Sequence, residues 1–198
     1  MAVGSIDNFN VSHGLSTNTF NKVNVNNSEL FTNISTDSSM VFNNTNIKSH
    51  NTGITINKGD ISMTNCVLEV NDYGIYCESD SSIITLNSSS ISGGNDDGIW
   101  TDGSNMEISL YGSEISDFNG DGLRASGSYV IINSQYSFIK DNDYGIYADP
   151  YTAEINISSS MISYNNLYGI YTTGRVNINY SNITFNNSIG IYLGGSSF

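Results

Sequence analysis

The sequence predicts an all-β fold: a single right-handed parallel β-helix, a solenoid of about eight to nine rungs with three short strands in each. Three observations predict it. A short phrase recurs six times, as Tyr73-Gly74-Ile75-Tyr76, Asp97-Gly98-Ile99-Trp100, Asp121-Gly122-Leu123-Arg124, Tyr144-Gly145-Ile146-Tyr147, Tyr168-Gly169-Ile170-Tyr171 and Ile189-Gly190-Ile191-Tyr192, and its glycines stand 24, 24, 23, 24 and 21 residues apart. A fixed period in the low twenties is the mark of one supersecondary unit stacked on copies of itself. Apolar residues alternate with polar ones in short runs and nowhere recur at helical spacing. Three such runs fit in each period, which makes the coil triangular, and the crossover preference of parallel strands makes it right-handed.

The elements follow in order within a period. After each glycine comes a branched or apolar residue (Ile75, Ile99, Leu123, Ile146, Ile170, Ile191), then a large one (Tyr76, Trp100, Arg124, Tyr147, Tyr171, Tyr192) and then a small or apolar one (Cys77, Thr101, Ala125, Ala148, Thr172, Leu193). Period-two alternation of this kind is a strand with one face buried. A second strand is expected at the inward pairs Ile84 and Leu86, Ile108 and Leu110, Ile155 and Ile157, and Ile178 and Tyr180. A third is expected around Val67, Ile91, Ile115, Phe138, Ile162 and Ile183, each four residues before a turn asparagine. Those asparagines, Asn71, Asn95, Asn119, Asn142, Asn166 and Asn187, stand three residues before the glycines. Asn tolerates left-handed backbone, and stacked amides can bond rung to rung in a ladder. The glycines are read as sites of tight turning. Weaker copies at Gly53-Ile54, Asn33-Ile34 and Gly14-Leu15 have shorter periods. The chain therefore reads as one domain, 1–198, with narrower N-terminal rungs over 14–72 and regular rungs of 21–24 residues over 73–195.

Composition bounds the partners. Nineteen acidic against six basic residues give a net charge of -13, which repels nucleic-acid phosphates and anionic lipid, so neither nucleic acid nor membrane insertion is expected. No apolar run approaches the ~20 residues of a membrane span, and no charged-then-apolar leader opens the chain. Abundant Asn, Ser, Thr and Tyr with few Lys fit an extracellular, cell-surface or virion-surface setting. Cys66 is read as outward and Cys77 as inward, so two separate small residues are favoured over a disulfide. Nine Asn-x-Ser/Thr sequons, from Asn10 to Asn186, leave glycosylation open.

The Asn and Gly-Ile-Tyr repeats resemble the right-handed parallel β-helix proteins of the pectate-lyase-like superfamily over about residues 20–195. They are most similar to the short repeats of its carbohydrate-binding and sugar-hydrolase members, and archaeal adhesin-like surface proteins and viral tailspikes look alike. The resemblance implies the fold. Because the superfamily includes lyases, hydrolases, epimerases and structural stalks, it implies no one activity.

The alternation aims Tyr76, Trp100, Arg124, Tyr147, Tyr171 and Tyr192 outward on one sheet, with Glu78, Asp102, Ser126, Asp149 and Thr173 two residues on and Asp72, Asp96, Asp97, Asp121 and Asp143 just before the glycines. Aromatic faces stack on sugar C–H groups, while carboxylates and Arg bond hydroxyls. Tyr76, Trp100, Asp102, Arg124, Tyr147, Asp149 and Tyr171 are thus the candidate ligand-binding residues, with a polysaccharide or host-surface glycan as partner. A purely structural aromatic ladder is the plainer alternative, since such pairs stabilise neighbouring strands by roughly 0.2–1 kcal/mol. Asn95-Asp96-Asp97-Gly98 is similar to the paired-aspartate motif of polygalacturonase-type hydrolases, which implies Asp96, Asp97, Asp121 and Arg124 as the residues of a hydrolase or lyase. The accompanying Asn-Thr-Asp, Gly-His-Gly and Arg-Ile-Lys motifs are not in the chain. Asp102 and Asp149, two rungs apart, would lie about 9.6 Å apart, near the separation of inverting glycosidases. No cofactor is expected; if a cation such as Ca²⁺ binds, Asp96, Asp97 and Asp121 are its expected ligands, though no calcium-binding nonapeptide is present. Exposed strand edges at both solenoid ends point to a homo-oligomer or a larger surface or virion assembly. The functional expectation is a glycan-binding or adhesion module, with a polysaccharide hydrolase or lyase and a structural spacer as alternatives.

Overall fold

Alternating burial builds the same triangle in layer after layer. In the computed structural model, which describes residues 3–7, 10–11, 15–16 and 22–194, every element among the described residues is a strand or a turn and none is a helix. One full rung runs Ile83–Asn87, Ser90–Gly94 and Ile99–Thr101. Each of its strands joins a different parallel sheet of nine strands and pairs there only with its counterparts one rung before and after. The result is a right-handed parallel solenoid with three faces. Rung length varies: Asn26 and Asn43 are neighbours 17 residues apart, and Asn95 and Asn119 are neighbours 24 apart. Gly14 and the closing residues 195–198 lie outside the described residues; Leu15–Ser16 forms a strand on Ile34–Thr36.

The core is a set of aliphatic columns. The first sheet contributes Ile61, Ile84, Ile108, Ile132 and Ile155, the second Leu68, Ile91, Ile115, Ile139 and Ile162, and the third Ile54, Ile75, Ile99, Leu123, Ile146 and Ile170, all buried. Like stacks on like at strand spacing, so branched aliphatic side chains fill the interior column by column.

Three details of register differ from expectation. Val67 and Phe138 face solvent, and Leu68 and Ile139 take the inward place. From the inward residue to the motif glycine is six positions in these two rungs (Leu68 to Gly74, Ile139 to Gly145) and seven in the rungs of Ile91, Ile115, Ile162 and Ile183. Counting back from the turn therefore slips by one, and a slip of one reverses the face. In the last first-sheet strand the inward pair is Val176 and Ile178, which stack under Ile155 and Ile157, while Tyr180 projects from the corner. Cys66 is buried at a corner rather than outward on a strand, Cys77 is buried in the third sheet, and both thiols are free. Burial pushes both thiols above their ordinary pKa.

The corner between the first and second sheets is two residues long and has its own chemistry. Its first residue is left-handed in every rung described from 22 onward: Asn27, Asn44, Asn65, Ser88, Gly112, Tyr136, Ser159 and Tyr180 have φ between 48° and 55°. The second is Ser28, Thr45, Cys66, Ser89, Ser113, Ser137, Ser160 or Ser181. The side chain of each donates to the carbonyl two residues back. From Ser89 to Ser181 each hydroxyl also accepts the backbone N–H of its counterpart one rung earlier. This column explains several sequons: in Asn26-Asn27-Ser28, Asn43-Asn44-Thr45, Asn87-Ser88-Ser89 and Asn179-Tyr180-Ser181 the hydroxyl is a corner bond.

Candidate functional site

The third sheet carries the candidate residues on its strands Ile75–Cys77, Ile99–Thr101, Leu123–Ala125, Ile146–Ala148, Tyr168–Thr172 and Ile189–Leu193. The second residue after each motif glycine joins one outward column, with Tyr76 paired to Trp100, Trp100 to Arg124, Arg124 to Tyr147, Tyr147 to Tyr171 and Tyr171 to Tyr192. The residues just before the glycines form a second column beside it: Tyr73, Asp97, Asp121, Tyr144, Tyr168 and Ile189. Its members are aligned by amide bonds from Gly74 to Asp97, Gly98 to Asp121, Gly122 to Tyr144 and Gly145 to Tyr168.

In the first five of the six repeats the glycine between the columns is required by crowding rather than by turning. None of the six has a positive φ. A Cβ on Gly98 would stand 2.5 Å from Ile115 Cγ2 and 2.6 Å from the Gly122 carbonyl, and one on Gly145 would stand 2.5 Å from the Gly169 carbonyl. The two columns are therefore brought side by side by close backbone stacking.

Apart from Ile189 in the last rung, tyrosines fill both columns except at two adjacent rungs in the middle. Tyr147 and Tyr171 stack at 4.9 Å and 3°, Tyr171 and Tyr192 at 5.0 Å and 7°, and Tyr144 and Tyr168 at 5.3 Å and 21°. Tyr73, Tyr76 and Trp100 form a second ring cluster with centroids 4.8–5.8 Å apart. Between the clusters both columns change at once: Asp97 and Asp121 replace tyrosine in one, Trp100 and Arg124 in the other. Two missing rings open a cleft of about 480 Å³, with Asp97 and Asp121 on its floor, Tyr73 and Trp100 on one wall, Tyr144 and Tyr147 on the other, and Asn95, Asp96, Asn119 and Asp143 at its rim.

The floor is built from turn geometry. Asp97 and Asp121 are 6% and 5% exposed. Asp97 Oδ1 accepts the Asp121 backbone N–H at 2.7 Å, and the Tyr144 backbone serves Asp121 in the same way one rung on. Burial raises the Asp97 pKa, opposed by the Asp121 amide and by Arg124. Burial, and after it the Asp97 charge, raises Asp121 to about 7. Arg124 Nη1 lies 3.8 Å from Asp121 Oδ2. Its guanidinium is held between the Trp100 and Tyr147 rings, 5.8 and 5.4 Å from their centroids. Trp100 Nε1 and Arg124 Nε are buried and have no hydrogen-bond partner within the protein.

Beneath the cleft a buried amide ladder begins. Asn142 Nδ2 donates to Asn165 Oδ1 at 3.2 Å, Asn165 Nδ2 donates to Asn186 Oδ1 at 2.8 Å, and the Phe118 amide donates to Asn142 Oδ1. The ladder thus runs through Asn165 and Asn186, one residue earlier than the expected Asn166 and Asn187. Of the other expected rungs, Asn119 bonds Asn95 at the surface. None of the six expected asparagines is left-handed.

Of the candidates, Trp100, Arg124, Tyr147, Asp96, Asp97 and Asp121 meet at the cleft. Tyr76 and Tyr171 lie in the flanking ring clusters, and the Tyr76 hydroxyl donates to Glu78. Asp102 and Asp149 occupy one column two rungs apart, beyond the far end of the strands, and do not line the cleft. Among the described residues no three His, Cys, Asp or Glu side chains are grouped so as to hold a metal ion, so Asp96, Asp97 and Asp121 form no three-carboxylate centre. The tyrosine column Tyr73, Tyr144 and Tyr168 was not among the candidates, although the residue before each glycine was open to reading in the repeated phrase.

Compared with protein families, curated proteins and solved structures, the chain matches none.

Proposed function

We propose that this chain is a glycan-binding or adhesion module displayed on a cell or virion surface, a relative of the pectate-lyase-like β-helices, and that it holds its glycan at the cleft over Asp97 and Asp121. One observation carries the reading: two side-by-side tyrosine columns change in the same two rungs, to Asp and Asp in one and Trp and Arg in the other. A ladder serving the sheet alone has no need of that change, because it opens a cleft and buries two carboxylates. The result combines what a sugar needs, ring faces for its C–H surface, and carboxylates and a guanidinium as fixed acceptors and donors for its hydroxyls. The stacked tyrosines extend the strip on both sides over six rungs, roughly 24 Å at strand spacing, so a chain of several sugar units has a surface to follow.

The test is retention on a panel of polysaccharides. Aromatic and Arg anchors carry most of the affinity in recognition sites, so Trp100→Ala and Arg124→Ala should each weaken binding tenfold or more, while stability changes by about 1 kcal/mol as at other surface strand sites. Unchanged binding with a sharply lower melting temperature would make the column a structural ladder.

A second reading, hydrolysis or lysis of the bound glycan, has its own support. Asp97 and Asp121 are neighbouring buried carboxyls on a cleft floor, and one holds its proton to about pH 7, the division of roles that acid–base catalysis uses. Appearance of new reducing or unsaturated ends, lost in Asp121→Asn, would establish it.

A further inference from the structure

We propose that the cleft selects a sugar bearing a free, positively charged amino group, seated against Asp97 beside the Tyr73 and Trp100 rings. The inference rests on the glycan reading and specifies its ligand. Four carboxylates line the cleft, those of Asp96, Asp97, Asp121 and Asp143, against one cation. That cation is spoken for. Arg124 sits on the Asp121 side, with its two faces against Trp100 and Tyr147. Asp97 is as deeply buried as Asp121, yet no Lys, Arg or His among the described residues stands within ion-pair distance of it. Arg124 acts on Asp97 only from a distance, and a buried carboxylate without a direct ion pair is costly, so an incoming ammonium would relieve that cost while a sugar carboxylate would add to it. The walls fit the same charge, for rings over a carboxylate floor are the surroundings that hold organic cations, and Arg124 already occupies such a place one rung away.

This excludes acidic polysaccharides and favours amino sugars over their N-acetylated forms, whose amide is neutral. The test is calorimetric titration at pH 7 and near-physiological salt with tetramers of glucosamine, of N-acetylglucosamine and of galacturonic acid. The glucosamine tetramer should bind at least tenfold more tightly than the N-acetylated one, and the galacturonate should not bind measurably. Asp97→Asn keeps an acceptor for the Asp121 amide and should bring the first two ligands within about threefold of each other. Asp102→Asn with Asp149→Asn, which removes two charges from the same face outside the cleft, should leave the preference intact. Equal or tighter binding of the N-acetylated tetramer, a preference that survives Asp97→Asn, or one lost in the Asp102/Asp149 variant would each overturn the proposal while leaving the glycan reading in place. Failure of every sugar and polysaccharide to bind the wild type would remove both.

Discussion

Ser113 shows how much a single small side chain does in this solenoid. Its hydroxyl donates to the Tyr111 carbonyl at 3.0 Å and accepts the Ser89 amide at 3.2 Å, and the site is buried. Ser113→Ala would leave a buried N–H without a partner, which costs about 1–3 kcal/mol, so its thermal midpoint should fall clearly. At Cys66 the same column carries a thiol, which donates to the Thr64 carbonyl. Cys66→Ser supplies the hydroxyl that Thr45 and Ser89 carry in the neighbouring rungs and should leave stability unchanged or raised by up to about 1 kcal/mol; a loss comparable to that of Ser113→Ala would show that the hydroxyl column is not what holds the corner. Inwardness of Cys66 was not legible because corner residues lie outside the period-two pattern that assigns faces on strands. Their recurrence after Asn-x was visible in the sequence, but in the form of glycosylation signals.

Strands and turns were unequally legible. Third-sheet strands were read with correct register through all six repeats, because a recurring glycine anchors each one. Second-sheet strands are tied to that glycine through a turn of varying length, and the two rungs with the shorter turn, those of Leu68 and Ile139, are where the face was misassigned. The reason for the glycine was also hidden: sequence shows that Gly recurs, not that the next rung's carbonyl stands where its Cβ would be. Gly98→Ala must move backbone on the following rung, since both the Gly122 carbonyl and Ile115 block the methyl, and overpacking of this kind costs typically 1–3 kcal/mol. At Gly190 the nearest atoms are 3.6 Å away, so Gly190→Ala should be nearly neutral. Equal effects of the two substitutions on the melting temperature would mean that crowding between rungs is not the constraint. The candidate cleft divides in the same way. Its Trp and Arg stood out as departures from tyrosine, but the cleft itself arises from a second column three residues earlier, just before the glycine, which only stacking brings alongside.

For the molecule as a whole, two kinds of charge set the response to pH. One is local. The Asp121 carboxyl has a folded pKa of about 7, above the 3.8 of an unperturbed Asp, and Asp97 is shifted in the same direction. A carboxyl with a raised folded pKa binds its proton more tightly in the native state, so its contribution is fully present below about pH 4 and is lost as pH rises towards 7. For a side chain this buried the shift of Asp121 corresponds to a loss of up to about 4 kcal/mol across that window. The other is global: a net charge of -13 repels itself more strongly as carboxyls ionise. Salt separates them, because repulsion between exposed charges is screened beyond about 8 Å at physiological ionic strength, whereas a buried pair is screened much less. Thermal midpoints should therefore rise as pH is lowered from 8 to 5, and 0.5 M NaCl should raise the pH 8 value without abolishing the slope. Asp121→Asn, whose amide can still accept the Tyr144 N–H, should flatten that remaining slope and be more stable than the wild type at pH 8. A wild-type slope that vanishes in salt, or one unchanged in Asp121→Asn, would place the pH response in the surface charge alone and deny the cleft floor its raised proton affinity.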